Sequence, residues 1–112
     1  MSEVRAMARY VRMSPRKVRL VADLVRGQKV QDALNLLQFT PKYAAREIAS
    51  VILSAAANAE ENHGLTRDDL TVKTVMIDDG STLRRGYAAA RGRYKPTLHR
   101  SSHITVVLSD QA

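Results

Sequence analysis

A connection of 23 residues, 80–102, separates the last two predicted strands of this chain. It contains six lysines or arginines and no acidic residue. Connections longer than about 12–15 residues that lack structure of their own are uncommon inside compact domains. Because Leu83, Tyr87 and Leu98 lie among the cations, the composition is not that of a low-complexity loop. We therefore predict a β-hairpin whose arms continue past the body of the domain and reach roughly 35 Å at about 3.3 Å per residue.

Alternating or continuous apolar residues predict three strands in the body. They cover residues 4–11, 70–77 and 103–109; the first has one partly basic face and the second is apolar on both faces. Asp78-Asp79-Gly80 is expected to form a β-bulge where the hairpin leaves the body. The residues expected to share a face are Val4, Ala6, Ala8 and Tyr10 in the first strand and Ile104, Val106 and Leu108 in the third.

Three helices are predicted between the first two strands. The first begins with Ser14 as N-cap and Pro15 at the first helical position, and Gly27 ends it. A short second helix covers about residues 30–37, and Thr40-Pro41 repeats the cap-and-proline signal to open a long third helix that ends near residue 62. The apolar positions expected to face inward are Val18, Val21, Ala22, Val25, Val30, Ala33, Leu34, Leu37, Ala44, Ile48, Val51, Ile52, Ala55 and Ala59.

These elements predict an α+β fold in which three helices pack on a small antiparallel sheet and a long basic β-hairpin protrudes from it. No internal repeat and no linker divides the sequence, so we expect a single domain over residues 1–112. The globular body is expected to comprise residues 1–79 and 103–112, and residues 80–102 form the extended hairpin.

The basic charge occurs in two blocks. The formal net charge is +7 and the sequence pI about 10.3. Eight lysines or arginines and one acid lie in residues 5–29, whereas residues 30–79 hold four such cations and eight acids. The second basic block is the hairpin itself. Solubility alone favours mixed charges, so two basic blocks on one small fold indicate a footprint on a polyanion, most simply nucleic acid. A solvated basic loop is the alternative, but such a loop would be expected to carry some acids.

Enzyme and metal chemistry find little support in the sequence. The absence of cysteine excludes thiolate nucleophiles and zinc–sulfur sites. The three histidines lack metal-ligand spacing, and no cofactor is expected. Ser14 and Lys17 match the S-x-x-K pattern of serine-acylating enzymes, but the companion motifs are missing and the N-cap role explains Ser14. No segment is apolar enough to span a membrane or to serve as a secretory signal, so a cytoplasmic protein is expected.

Three segments resemble one known family. Residues 12–27, RMSPRKVRLVADLVRG, are similar to the N-terminal signature of the bacterial large-subunit ribosomal protein twenty-two family. Residues 54–62, SAAANAEEN, resemble its long-helix signature, and residues 100–107, RSSHITVV, resemble its closing strand. The resemblance implies a small α+β body near the exit of the nascent-peptide tunnel and a hairpin threaded into ribosomal RNA, with its tip at the tunnel constriction. The implied partners are large-subunit ribosomal RNA, neighbouring large-subunit proteins and the nascent polypeptide.

The resemblance also implies which residues bind RNA and which form the tip. The implied RNA-binding residues are Arg9, Arg12, Ser14, Arg16, Lys17, Arg19, Arg84, Arg85, Arg91, Arg93, Lys95, Arg100, Ser102 and His103. The implied tip residues are Ala88, Ala89, Ala90, Arg91, Gly92 and Arg93. Here the chain departs from the family, which usually has a Pro-Arg-Ala run where this sequence has three alanines.

The function predicted from these observations is structural: a ribosomal, RNA-binding protein that supports subunit assembly and lines the exit tunnel with its hairpin. A free-standing nucleic-acid-binding or RNA-chaperone protein is the alternative that composition alone would permit.

Overall fold

The computed structural model describes residues 3–88 and 94–110 of the chain. The predicted α+β fold is confirmed, with three helices packed on one face of a three-stranded antiparallel sheet. Its elements, in chain order, are β1 (Glu3–Val11), α1 (Pro15–Val25), α2 (Val30–Gln38), α3 (Tyr43–His63), a single turn of 3-10 helix (Arg67–Asp69), β2 (Thr71–Ala88) and β3 (Tyr94–Ser109).

The sheet has the strand order β1-β3-β2, so the last strand lies in the middle. β1 pairs with β3 from Glu3 opposite Ser109 to Val11 opposite Ser102. β2 pairs with the same part of β3, and the pairing then continues beyond β1 to Ala88 opposite Tyr94. The sheet is therefore three-stranded in the body and becomes a two-stranded ladder in the hairpin.

The hairpin makes the molecule long and narrow. The principal extents are 62 × 26 × 17 Å, and the radius of gyration is 17.1 Å. A compact domain of this length would have a radius of gyration of about 13 Å. The difference reflects strand arms that run far past the layer of helices.

The core lies between the helices and the inner face of the sheet. All inward-facing helix positions predicted from the sequence are buried except Leu34, which is half-buried. The central helix α3 buries mainly small residues: Ala44, Ala45, Ala55, Ala56 and Ala59 surround Ile48 and Ile52. Small side chains allow close approach of backbones, so α3 packs against both other helices and against β1 and β3.

Two β-bulges shape β2. The pairing shifts between Val72 and Thr74, and an extra residue in a strand moves the following side chains to the opposite face. Val72 and Val75 are therefore both buried, whereas Met76 is exposed. The apolar pattern on both faces of residues 70–77 reflects this change of face. A second shift, between Asp79 and Thr82, confirms the bulge predicted at the root of the hairpin.

The sequence interpretation of Thr40 was wrong. Its hydroxyl donates to the carbonyl oxygen of Leu36 at 2.8 Å, at the end of α2, and α3 begins only at Tyr43 with Lys42 as its N-cap residue. Thr40 thus completes the preceding helix rather than opening the following one. Ser14 occupies the predicted N-cap position of α1, followed by Pro15, but makes no side-chain capping hydrogen bond.

Candidate nucleic-acid interface

The two basic blocks of the sequence meet where the hairpin leaves the body. Val11 of β1 and Asp79 of β2 both pair with Ser102 of β3, one from each side. We call this place the hairpin base and define it by residues 10–13, 79–80 and 101–103. It joins the end of β1 and the start of α1, which belong to the first basic block, to the first residues of the second.

Tyr10 leaves the face of β1 on which the alternation placed it. The pairing with β3 shifts between Ala8 and Val11, and Tyr10 has a positive φ of 56°. Tyr10 is 60% exposed, whereas Val4 and Ala6 are buried. The expectation that Tyr10 shares their face is therefore wrong, because the irregularity breaks the alternation at the end of the strand.

His103 holds Tyr10 in this position. The backbone N–H of Tyr10 donates to Nδ1 of His103 at 3.1 Å. The two rings meet nearly at right angles, with centroids 4.8 Å apart and an interplanar angle of 85°. Because Nδ1 accepts this hydrogen bond, the proton of the neutral imidazole lies on Nε2. His103, a residue implied to bind RNA, is half-buried and can offer this Nε2–H as a donor.

Ser102 has a structural role. It is fully buried, and its hydroxyl donates to the carbonyl oxygen of Met13 at 2.7 Å. This hydrogen bond fastens the hairpin to the turn before α1. The RNA contact that the resemblance implies for Ser102 stays a prediction, and in the described structure its hydroxyl is engaged within the fold.

The start of α1 presents exposed cations beside the hairpin base. Arg12, Arg16 and Lys17 are exposed, because α1 buries Pro15 and Val18 on its opposite side. None of the three forms an ion pair with an acidic side chain in the described part of the chain. Arg9 is also exposed, and its Nε lies 3.3 Å from the sulfur of Met7. These guanidinium and ammonium groups are available to phosphate oxygens.

Arg19 is only partly available. Its Nη2 donates to the carbonyl oxygen of Ile77 at 3.0 Å and lies 3.6 Å from a carboxylate oxygen of Asp79. The side chain is nevertheless 51% exposed. Arg19 therefore connects α1 to the strand that leads into the hairpin and still has donors for a further acceptor.

The remaining cations of the described hairpin are distributed over both of its strands. Arg84 and Arg85 lie on β2, and Lys95 and Arg100 lie on β3. Lys95 pairs with Tyr87, and Arg100, which is exposed, pairs with Thr82. Ala88 is the last residue of β2. The implied tip residues Ala89, Ala90, Arg91, Gly92 and Arg93 lie outside the described residues.

Other kinds of site were sought in the same described ranges. No group of histidine or acidic side chains there could hold a metal ion. No helix within them has the length and hydropathy needed to cross a bilayer.

Comparison with known proteins shows the family of the chain. The family model described as "Ribosomal protein L22p/L17e" matches residues 6–109. The chain belongs to this family. Its members are structural ribosomal proteins and not enzymes. The S-x-x-K pattern of Ser14 and Lys17 therefore does not indicate catalysis.

Several relatives of this L22-family chain are bacterial proteins named "Large ribosomal subunit protein uL22". The one from Herpetosiphon aurantiacus is 55% identical over 108 residues, which cover 96% of each chain. The relative from Thermoanaerobacter sp. (strain X514) is 51% identical over 109 residues, covering 97% of this chain and 98% of its own. That from Thermus thermophilus is 50% identical over 109 residues, covering 97% and 96%. Membership of the L22 family makes this chain a structural constituent of the large ribosomal subunit.

Sequence reasoning missed two features of the interface. Tyr10 was expected to share a face with Val4 and Ala6 but is exposed, and no pattern in the sequence indicated that Ser102 joins the hairpin to the turn before α1. Both features lie at the hairpin base, where contacts between distant parts of the chain decide which side chains face solvent.

Proposed function

We propose that this L22-family protein binds large-subunit ribosomal RNA through the hairpin base and both arms of the hairpin, supports assembly of the subunit and lines the nascent-peptide exit tunnel with the hairpin tip. It acts in the ribosome, in the cytoplasm. The observation that carries the proposal is the meeting of the two basic blocks. Arg12, Arg16 and Lys17 are exposed, without acidic partners among the described residues, beside Arg100 and the start of the hairpin.

Charge and shape support this function together. Cations without acidic partners can bind phosphate without breaking an ion pair. Each such contact gains free energy because it releases counterions condensed on the RNA. A ladder of two strands that extends from the body is suited to enter between RNA segments, where a globular surface could reach only their outer side. We accordingly propose one domain in which residues 1–79 and 103–112 form the body and residues 80–102 form the RNA-embedded hairpin.

The proposed contacts are divided between phosphate binding and the tunnel. Phosphate contacts are proposed for Arg9, Arg12, Arg16, Lys17, Arg19, Arg84, Arg85, Lys95, Arg100 and, through Nε2, His103, with Ser14 contributing its hydroxyl or backbone. At the tip, residues 88–93 face the tunnel constriction and the nascent polypeptide. There we propose that Arg91 and Arg93 anchor RNA phosphates on either side of Gly92, which permits a tight bend.

Co-sedimentation tests this proposal. A tagged copy of the chain, expressed in a bacterium whose own uL22 gene has been deleted, is expected to remain with the large subunit after washing in high salt. Binding distributed over many contacts and a buried hairpin resists such a wash, whereas phosphate contacts alone weaken steeply with salt. Release of the chain into the supernatant would support the free-standing RNA-binding alternative instead.

A further inference from the structure

We propose that Tyr10 is a base-stacking residue and that its phenol ring receives an unpaired RNA nucleobase at the hairpin base. This inference rests on the proposed RNA-binding function and adds to it a ligand of defined chemistry. The ligand is a nucleobase that is not stacked on its neighbours in the RNA. Cations bind phosphates of any sequence, whereas an aromatic ring binds the flat face of a base.

The backbone conformation is the first observation that carries the inference. A positive φ such as the 56° of Tyr10 is uncommon for residues other than glycine, asparagine and aspartate, and it is disfavoured for bulky side chains. Such residues persist where surrounding contacts fix them, and they are enriched at functional sites. Here the conformation turns a large aromatic ring out of the sheet into solvent, where it loses the burial that the alternating pattern offered.

The second observation is the way the ring is held. His103 contacts it edge to face, with the ring centroids 4.8 Å apart. His103 can cover at most one face of the phenol in such a contact, and Tyr10 as a whole is 60% exposed. The hydrogen bond from the Tyr10 N–H to His103 fixes the backbone beneath the ring. A ring oriented in advance in this way loses little conformational freedom when a base stacks on it.

The third observation is the electrostatic setting. Exposed Arg9 and Arg12 flank Tyr10 in sequence, and exposed Arg100 lies on β3 two residues from Ser102, which pairs with Val11. Cations and an aromatic ring side by side are the combination that binds single-stranded nucleic acid. Tyr43 provides a contrast: it is about equally exposed, at 62%, and has Lys42 and Arg46 near it in sequence, but it lies at the start of α3, outside both basic blocks.

Affinity measurements on the full chain test this assignment. The probe is a transcript of large-subunit ribosomal RNA, titrated at several salt concentrations. Because stacking of one base contributes about 1–3 kcal/mol, Tyr10→Leu is expected to weaken binding by about 5- to 150-fold. The dependence of affinity on salt should stay unchanged, since every phosphate-binding cation is still present. Tyr10→Phe should bind like the wild type, and the matched control Tyr43→Leu should have no effect.

A fluorescence experiment gives an independent reading that does not require loss of function. The chain contains no tryptophan, so Tyr10→Trp introduces a single indole emitter. Addition of the same RNA is expected to quench its emission strongly, as stacking on a base does, whereas Tyr43→Trp should show little quenching. This variant also remains informative if Tyr10→Leu fails to fold.

The outcomes separate this inference from the function on which it rests. If the wild-type chain does not bind the transcript, the proposed RNA-binding function fails. Unchanged affinity in Tyr10→Leu together with unquenched emission in Tyr10→Trp would overturn the stacking role and leave RNA binding intact. The same outcome is expected if the Tyr10 ring contacts a neighbouring protein instead of RNA. A loss of affinity accompanied by a lower salt dependence would also overturn it, because the change would then be electrostatic.

Discussion

Arg26, the residue that follows α1, donates two hydrogen bonds to the carbonyl oxygen of Val75 in β2, from Nε at 3.2 Å and from Nη2 at 2.8 Å. Arg19 donates one hydrogen bond, from Nη2, to the carbonyl oxygen of Ile77, two residues further along the strand. Carbonyl groups two residues apart point to the same side of a strand, and β3 already occupies the other side of β2. The first basic block therefore contains two kinds of cation: those that cover the open edge of β2 and those that face solvent.

This division predicts unequal effects on stability for Arg26, which follows α1, and Arg16, which lies within it. Arg26→Met is expected to lower the free energy of unfolding by about 1 kcal/mol, because the carbonyl of Val75 is deprived of its charged donors at a partly exposed site. Arg16→Met, on the exposed side of α1, should change stability by less than about 0.5 kcal/mol. Urea denaturation of both variants measures the difference. Equal destabilisation of the two variants would show that the edge contacts of Arg26 contribute nothing of their own.

The hairpin arginines are expected to dominate RNA affinity. Removing one side chain that binds a phosphate should reduce the slope of log affinity against log salt by about 0.7–0.9. The double variant Arg84→Ala, Arg85→Ala should therefore flatten the slope for a ribosomal RNA transcript by up to about 1.8. The control Lys42→Ala, Arg46→Ala removes the same charge from the acid-rich part of the chain. Equal effects of the two pairs would show that the hairpin is not the RNA-binding element.

Ser102 is expected to matter for stability. Ser102→Ala removes the hydroxyl that donates to the Met13 carbonyl at a fully buried site, so a destabilisation of about 1–2 kcal/mol is predicted. The same substitution at Ser54, exposed on α3, should be neutral or slightly stabilising because alanine is the better helix former. Thermal or urea unfolding compares the two. A neutral Ser102→Ala would contradict the proposed fastening of the hairpin to α1.

Amide exchange should separate the body from the hairpin in the free protein. Residues 48–59 of α3 are expected to exchange only through global unfolding, because their buried side chains form the centre of the core. Amides of residues 83–87 should exchange much faster. They belong to the part of β2 that extends beyond β1 and pairs with β3, and an isolated two-stranded ladder is marginally stable in water. Protection in the hairpin as strong as that in α3 would contradict the division into body and hairpin.

The tip can be tested in ribosomes. If Arg91 anchors RNA, Arg91→Ala should disturb subunit assembly and affect translation of all nascent chains alike. A side chain that instead faced the tunnel lumen would leave assembly normal and change stalling on particular peptides or sensitivity to macrolides. Sucrose-gradient profiles and peptide-specific stalling assays distinguish these outcomes.

Local patterns in the sequence were sufficient to predict the elements of the fold. Apolar periodicity located the three helices and three strands, and Gly64, with a φ of 65°, ends α3 where expected. The short links between helices were harder to predict. The Thr40 hydroxyl could have capped the start of α3, but it donates to the end of α2 instead. The charge distribution along the sequence showed the two basic blocks, but it did not predict that they lie side by side in the fold. This arrangement depends on the pairing of β1 with β3, which joins residues that are far apart in the sequence.

The position of β3 in the middle of the sheet has a consequence for how the chain folds during its own synthesis. In the described sheet β1 pairs with β3, which is synthesised after the other two strands. Glu3 therefore cannot pair until Ser109 has been synthesised. The helices can form from local contacts as they leave the ribosome, but pairings between the two ends give the sheet a high contact order, which slows folding. Until the last strand arrives, β1 presents an unpaired edge that can associate with other chains. Binding of the β1 arginines to RNA before β3 is synthesised would shield this unpaired edge from association with other chains.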